Sequence, residues 1–381
     1  MEYEMENETY IESLEARFMQ DIEKMYKERS PFFNRIRLRR LADELGLHRQ
    51  GLLQDNKIVL KNLRGEDVEF ILDPDQPTIF EDRRCNHGDR RRGPYIYYRD
   101  IQKMIDRTDM KRFDVRQAFL PFIVMYPNPD EACFEYSTPG AFPHHFIAEE
   151  LSVILDITRQ KWETCAPYYN IKRTIQSRQP ELCNVSKIVG FACGTLSYGR
   201  YKEDFSLTQH AMILSLRRIL TKMKPGNTGF RATVRQLLSN GEEFDAMDNV
   251  VRCIVQDPAY TDLDKEVLKA EGFTIEDDPR GFLSVDDKTV VVSIDANTPV
   301  KQIICDIARP VAIIQMIEKK EPNGKSARNY ADPSSPRVNA MLADEYVRVP
   351  LDHHPRIRTI EMYVRKGPQM AAGTGTNNVN S

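Results

Sequence analysis

From Lys187 to Ile317 short apolar runs alternate with amphipathic stretches, and this alternation restricts the fold more than any other feature of the chain. The runs are Lys187 to Phe191, Val250 to Gln256, Phe273 to Glu276, Thr289 to Ile294 and Val311 to Ile317. All but the short Phe273 to Glu276 are apolar at most positions. A strand with one wet face alternates polar and apolar residues, whereas a strand covered on both faces does not. The stretches between them carry helical signals. Ser206 is a candidate N-cap for a helix ending near Met223, and Gly272 closes a helix from Asp262 to Ala270. Pro299 suits the first turn of a helix ending at Ala308.

Parallel strands joined by right-handed crossover helices build an open sheet. The fold class read from the sequence is therefore α/β: a Rossmann-like, mostly parallel sheet in the order 3-2-1-4-5. Tyr346-Val-Arg-Val-Pro350 and Thr359-Ile-Glu-Met-Tyr-Val-Arg365 add C-terminal edge strands. The chain of 381 residues is too long for one small domain. The expected division is an N-terminal α+β extension over 1–183, the sheet domain over 184–366 and a disordered tail over 367–381. The sheet domain carries a polar insert at 224–249 and a flexible loop at 319–340, which is rich in Pro, Ser, Asn and Arg. In the extension, periodicity predicts helices over 8–29, Asn34 to Leu47, Tyr98 to Arg107 and Ala148 to Trp162, with a hairpin over 57–72. No motif there carries recognisable chemistry.

A net charge of -3 with 29% charged residues suits a globular protein and proposes no nucleic-acid partner. The basic clusters at Arg35 to Arg40 and Arg83 to Arg92 read as a helix face and a solvated loop. Seven cysteines without a Cys-x-x-Cys pair suggest neither a disulfide framework nor a zinc site. His144-His145 and His353-His354 lack partners at ligand spacing and read as surface residues; no metal is expected. The N-terminus is acidic, unlike a presequence, and no apolar run is long enough to cross a bilayer. The expectation is a cytoplasmic protein, with the nucleus as a second compartment, that has protein partners and no membrane contact.

In open α/β sheets ligands bind beyond the carboxyl ends of the strands, where strand order reverses. Three features converge there. Ala192-Cys-Gly-Thr-Leu-Ser197 follows the first strand: Gly194 permits a tight turn, while Thr195 and Ser197 supply hydroxyls. Asp257 ends the second strand, where an acidic side chain can hold a ribose. Asp295-Ala-Asn-Thr-Pro299 ends the fourth, and its Asp295 and Asn297 face a ligand or cap the next helix. The candidate cofactor-binding residues are thus Ala192, Gly194, Thr195, Ser197, Asp257, Asp295 and Asn297. Gly190, Ala192 and Gly194 spell G-x-A-x-G without a third glycine at the helix start, which disfavours a pyrophosphate. A nucleoside such as S-adenosylmethionine fits the layout better. No catalytic set can be assembled, and methyl transfer is the leading enzymatic option.

These residues, from about Asn184 to Ile317, resemble the SRR-like domain family, named for "sensitivity to red light reduced". The family's Gly-x-Gly-Ser-x-Ser stands here as Ala192-Cys-Gly-Thr-Leu-Ser197, and its Gln-x-Ala as Gln209-His-Ala211. Its acidic residue and proline stand as Asp257-Pro258, and its Met-Pro-His-Cys-Pro-like segment as Asp295-Ala-Asn-Thr-Pro299. Ala192 replaces a glycine, the His-Cys pair is absent, and no Gly-Asn follows near Gln315-Met316. The long N-terminal half and the insert resemble a divergent, fungal-type member. The resemblance implies a Rossmann-like domain in an intracellular regulatory protein, from a family associated with light signalling and circadian regulation in plants and with no established catalysis. Three functions follow as expectations: a regulator binding a nucleoside-like ligand, an S-adenosylmethionine-dependent methyltransferase, or a ligand-free protein-interaction module.

Overall fold

The computed structural model describes residues 16–72, 94–106, 115–125, 146–196, 203–224, 250–317, 332–357 and 359–367. Within them, helix α1 covers 16–27 and α2 covers Arg35–Arg49, started by Asn34, whose side chain accepts from the Ile36 N–H. Strands β1 (Lys57–Lys61) and β2 (Asp67–Ile71) form an antiparallel hairpin. A second antiparallel pair, β3 (Tyr95–Tyr98) and β4 (Phe122–Met125), flanks the short helices α3 (Ile101–Asp106) and α4 (Val115–Ala118). Three helices follow: α5 (Ala148–Trp162), α6 (Ala166–Ser177) and α7 (Gln179–Leu182).

The α/β part then runs β5 (Lys187–Phe191), α8 (Glu203–Met223), β6 (Arg252–Gln256), α9 (Asp262–Ala270), β7 (Phe273–Ile275), α10 (Arg280–Leu283), β8 (Thr289–Ser293), α11 (Val300–Ile307) and β9 (Ala312–Met316). It closes with α12 (Pro336–Glu345), β10 (Tyr346–Pro350) and β11 (Ile360–Arg365). The main sheet has seven strands in the order β10-β11-β9-β8-β5-β6-β7. Strands β5 to β9 are mutually parallel, while β11 and β10 are antiparallel additions. Across the parallel part the strands therefore run third, second, first, fourth, fifth. Only β10 of the C-terminal pair is an edge strand, because β11 is hydrogen-bonded to β9 and to β10.

The apolar character of the central parallel strands follows from their burial on both faces. Val189, Phe191, Ile254, Val291 and Ile313 point into one hydrophobic cluster, and Ile188, Cys253, Val290, Val292 and Ile314 into the other. The first cluster is shared with the N-terminal elements through Phe18, Phe32, Phe33, Leu41 and Phe122. The second is filled by α5, α6, α8 and α9. Arg337 on α12 fastens the N-terminal part to this frame. Its guanidinium donates to the carbonyls of Met25, Tyr26 and Ser30 at the end of α1, and pairs with Asp306 at 3.3 Å. Asp306 in turn accepts the N–H groups of Phe32 and Phe33 at 2.7 and 3.0 Å.

Several sequence expectations are corrected. The helix after β5 begins at Glu203, so Ser206 is a buried residue of its interior and not its N-cap. Tyr98 lies in β3, and the helix expected from it begins at Ile101. Residues 336–340 are helical and not loop: Ser335 accepts from the Val338 N–H at 3.3 Å and Pro336 occupies the first turn. Pro299 is the N-cap of α11 rather than its first residue. Residues 8–15, Arg83 to Arg92, His144-His145, residues 225–249, 318–331 and the tail from 368 lie outside the described residues.

Candidate functional site

Strand order reverses between β5 and β8: the chain leaves β5 toward β6 on one side, and β8 lies on the other. The loop after β5 closes tightly over the start of α8. A Cβ on Gly190 would lie 2.8 Å from Ile213 Cδ1, and one on Gly194 would lie 2.3 Å from Ser206 Oγ. Gly194 has φ of +76°, so glycine is required there on both steric and conformational grounds. Ala192, in the same loop, has φ of +53°, and Asp295, beyond β8, has φ of +57°. Left-handed backbone costs a non-glycine residue about 1–2 kcal/mol. Both strand ends that flank the reversal are therefore held in an unfavourable conformation.

Two aspartates brace the loop from the β6 side. The Gly194 N–H donates to Asp257 Oδ2 at 2.7 Å, while Asp257 Oδ1 accepts from the Ala259 N–H at 2.8 Å. Asp264, fully buried on α9, accepts the Thr195 hydroxyl at 2.6 Å and the Leu196 N–H at 2.9 Å. It also closes a capping box with Thr261, accepting the Thr261 N–H at 2.7 Å. Of the expected binding residues, the structure thus joins Gly194, Thr195 and Asp257 in one hydrogen-bonded unit. Asp295 is half-buried and Asn297 is exposed across the crevice; Ser197 lies outside the described residues.

Beneath the loop runs a buried polar chain. His210 Nδ1 lies 2.7 Å from the Ser206 carbonyl, and Nε2 lies 2.8 Å from the Tyr260 hydroxyl. The carbonyl can only accept, so Nδ1 carries the proton and Nε2 accepts from Tyr260. Burial holds His210 neutral, pushing its pKa down to about 4. The Cys193 thiol lies against the Tyr260 hydroxyl, and burial raises its pKa. A thiol held protonated in this way is a poor nucleophile, so Cys193 and His210 pack the loop's underside and do not form a thiolate pair.

Gln209 differs from its neighbours. Its side chain is fully buried, and neither its carboxamide oxygen nor its nitrogen has a hydrogen-bond partner. Such burial costs about 1–3 kcal/mol on the scale of protein mutational data. Its direction follows from α8. Ser206 faces Gly194 in the loop and Ile213 faces Gly190 on β5, and Gln209 lies three residues after the one and four before the other. His210 points to Tyr260 and Phe273, on the β6–β7 side. Gln209 precedes it by one residue, or about 100° of helix rotation, and so turns to the β8 flank.

In the sequence Gln209 stands out as part of the Gln209-His-Ala211 motif; its lack of partners needs the fold. Asp264 was signalled only by the Thr261-x-x-Asp264 spacing of a capping box. His353 is exposed, while His354 is half-buried with its ring 5.3 Å from that of Trp162. Among the described residues no group of three or more His, Cys, Asp or Glu side chains is placed to hold a metal ion.

The class defined by this geometry is an α/β protein with a braced glycine loop at the reversal of its parallel strands. A family model described as the SRR1 domain matches residues 171–314. The match takes in α7, β5, α8, β6 to β8, α11 and most of β9, and with them every expected binding residue. No curated protein matches the chain. No described helix is long and apolar enough to cross a membrane.

Proposed function

We propose that this protein is an intracellular regulator of the SRR-like type whose Rossmann-like sheet holds a nucleoside-like ligand in the crevice between β5 and β8. The observation that carries this reading is the pair of left-handed non-glycine residues, Ala192 and Asp295, at the two strand ends flanking the reversal. Strained backbone persists where the surroundings over-determine it, and such places cluster at ligand sites. The hydrogen bonding of the loop supports a ligand without phosphate. The Gly194 and Leu196 N–H groups, which a phosphate would need, already donate to the carboxyl groups of Asp257 and Asp264. The buried, protonated Cys193 and the neutral His210 favour binding over covalent chemistry.

The test is thermal unfolding of the full chain with S-adenosylmethionine, its demethylated product, adenosine and nicotinamide dinucleotides. A ligand at 100 times its dissociation constant adds about 2.7 kcal/mol. The phosphate-free nucleosides should raise the melting temperature more than the dinucleotides do. No shift with any of them would overturn the reading and leave a ligand-free interaction module. Methyl transfer from labelled S-adenosylmethionine to a cell extract would instead make the protein an enzyme.

A further inference from the structure

We propose that a polar void at the carboxyl ends of β8 and β9 receives one sugar hydroxyl of the crevice ligand. The proposal rests on the crevice reading and goes beyond it, to the part of the ligand that enters the protein. Strand pairing sets Ser293 beside Gln315, and Gln315 beside Glu361 on β11. All three are buried. Arg348 Nε donates to Glu361 Oε2 at 2.6 Å, and the Tyr363 hydroxyl donates to Oε1 at 3.0 Å. A carboxylate beside a guanidinium only accepts, so the Gln315 nitrogen is the atom that faces it, at 3.2 Å. The Gln315 oxygen is thereby turned away from Glu361. Neither it nor the Ser293 hydroxyl has a hydrogen-bond partner among the described residues. Both residues line two voids of about 10 Å³ each, and so does Lys301. Such a void admits one water-sized group and no ring. Its lining selects a hydroxyl. The group must donate to the Gln315 oxygen, which only accepts, and it can accept from Ser293. Lys301 disfavours an ammonium there, while the carboxylates of Asp295 and Asp332, which line the second void, disfavour an anion. Asp295 also bounds the crevice, so a ligand in the crevice lies next to this void. The hydroxyls of a nucleoside are on its sugar. Asp257, the residue expected to hold them, already accepts from the N–H groups of Gly194 and Ala259.

The test is calorimetry of the full chain with adenosine and its 2′-, 3′- and 5′-deoxy analogues, in the wild type, Ser293→Ala and Gln315→Met. Thermal unfolding of each free variant checks that it folds. The wild type should bind adenosine roughly 2- to 13-fold more tightly than the one analogue that lacks the buried hydroxyl, the worth of one net hydrogen bond. Gln315→Met should abolish that difference by removing the acceptor, and Ser293→Ala should reduce it. Gln315 also donates to Glu361, so Ser293→Ala keeps the proposal testable if Gln315→Met fails to fold. Equal affinity of the wild type for all four nucleosides, or a difference unchanged in a folded variant, would overturn the proposal while leaving the crevice reading intact. A structure with adenosine in the crevice, the void holding only water and every sugar hydroxyl elsewhere, would overturn it likewise. Failure of the wild type to bind any of these nucleosides or S-adenosylmethionine would remove both proposals together.

Discussion

Replacing Asp278 by Asn should remove a pH dependence of stability that runs in the unusual direction for a carboxylate. Asp278 links three parts of the molecule. Its Oδ1 accepts the Tyr98 hydroxyl from β3 at 2.6 Å and Gln256 Nε2 from the end of β6 at 2.9 Å. Gln256 Oε1 in turn accepts the Gly281 N–H of α10 at 2.7 Å. Burial pushes Asp278 up from its ordinary 3.8 to about 7; the two donors and Arg49 pull the other way, and Asp277 adds to the rise. Between those values the folded chain holds a proton that the unfolded chain has released. Stability therefore falls as pH rises through this window and is level above about 7. At about 1.4 kcal/mol per unit over roughly three units, the loss is about 4 kcal/mol. An Asn keeps Oδ1 as the acceptor for both donors and places an NH2 where the protonated oxygen was. Urea unfolding from about pH 4.5 to 8.5 is the assay, read as variant minus wild type. His210 contributes the opposite slope over part of this range, but it is common to both proteins and cancels in the difference. The difference should climb by about 1.4 kcal/mol per unit toward pH 7 and then level. Parallel curves would mean that Asp278 is ionised throughout, and would refute the burial argument.

Three other outcomes follow. Replacing His210 by Phe should flatten the acid limb: the buried neutral ring loses about 3 kcal/mol of stability as pH falls from 6.5 to about 4, and unfolding on acidification measures it. Arg337→Ala should cost about 3–5 kcal/mol in urea unfolding, because it leaves the largely buried Asp306 without its cation and uncaps α1; a loss under about 1 kcal/mol would contradict that anchor. Gly194→Ala should cost about 2 kcal/mol or more from its left-handed backbone and the approach to Ser206, and adding Ser206→Ala should recover only the steric part.

What the sequence revealed depended on how local its signal was. The parallel strands were legible because burial on two faces writes apolar residues on both of them, as in Val290 to Val292. Helices α5 and α9 were legible because periodicity marked Ala148 to Trp162 and Gly272 closed the run from Asp262 to Ala270. Helix α12 was misread because a polar composition outweighed the Ser335-Pro336 start signal. Strands β3 and β4 went unseen because four-residue strands among prolines leave too short a pattern. At the site, Gly194 and Asp257 were legible as residue types. Their bond to each other, the brace from Asp264 and the isolation of Gln209 depend on contacts across 63, 68 and more residues, which no local pattern encodes.

The most direct measurement is a crystal structure of the full chain grown with adenosine or S-adenosylmethionine at saturating concentration. Ligand density is expected between Ala192, in the loop after β5, and Asp295 beyond β8. Density bound elsewhere on the molecule, or none in the crevice in the presence of saturating nucleoside, would contradict the central claim.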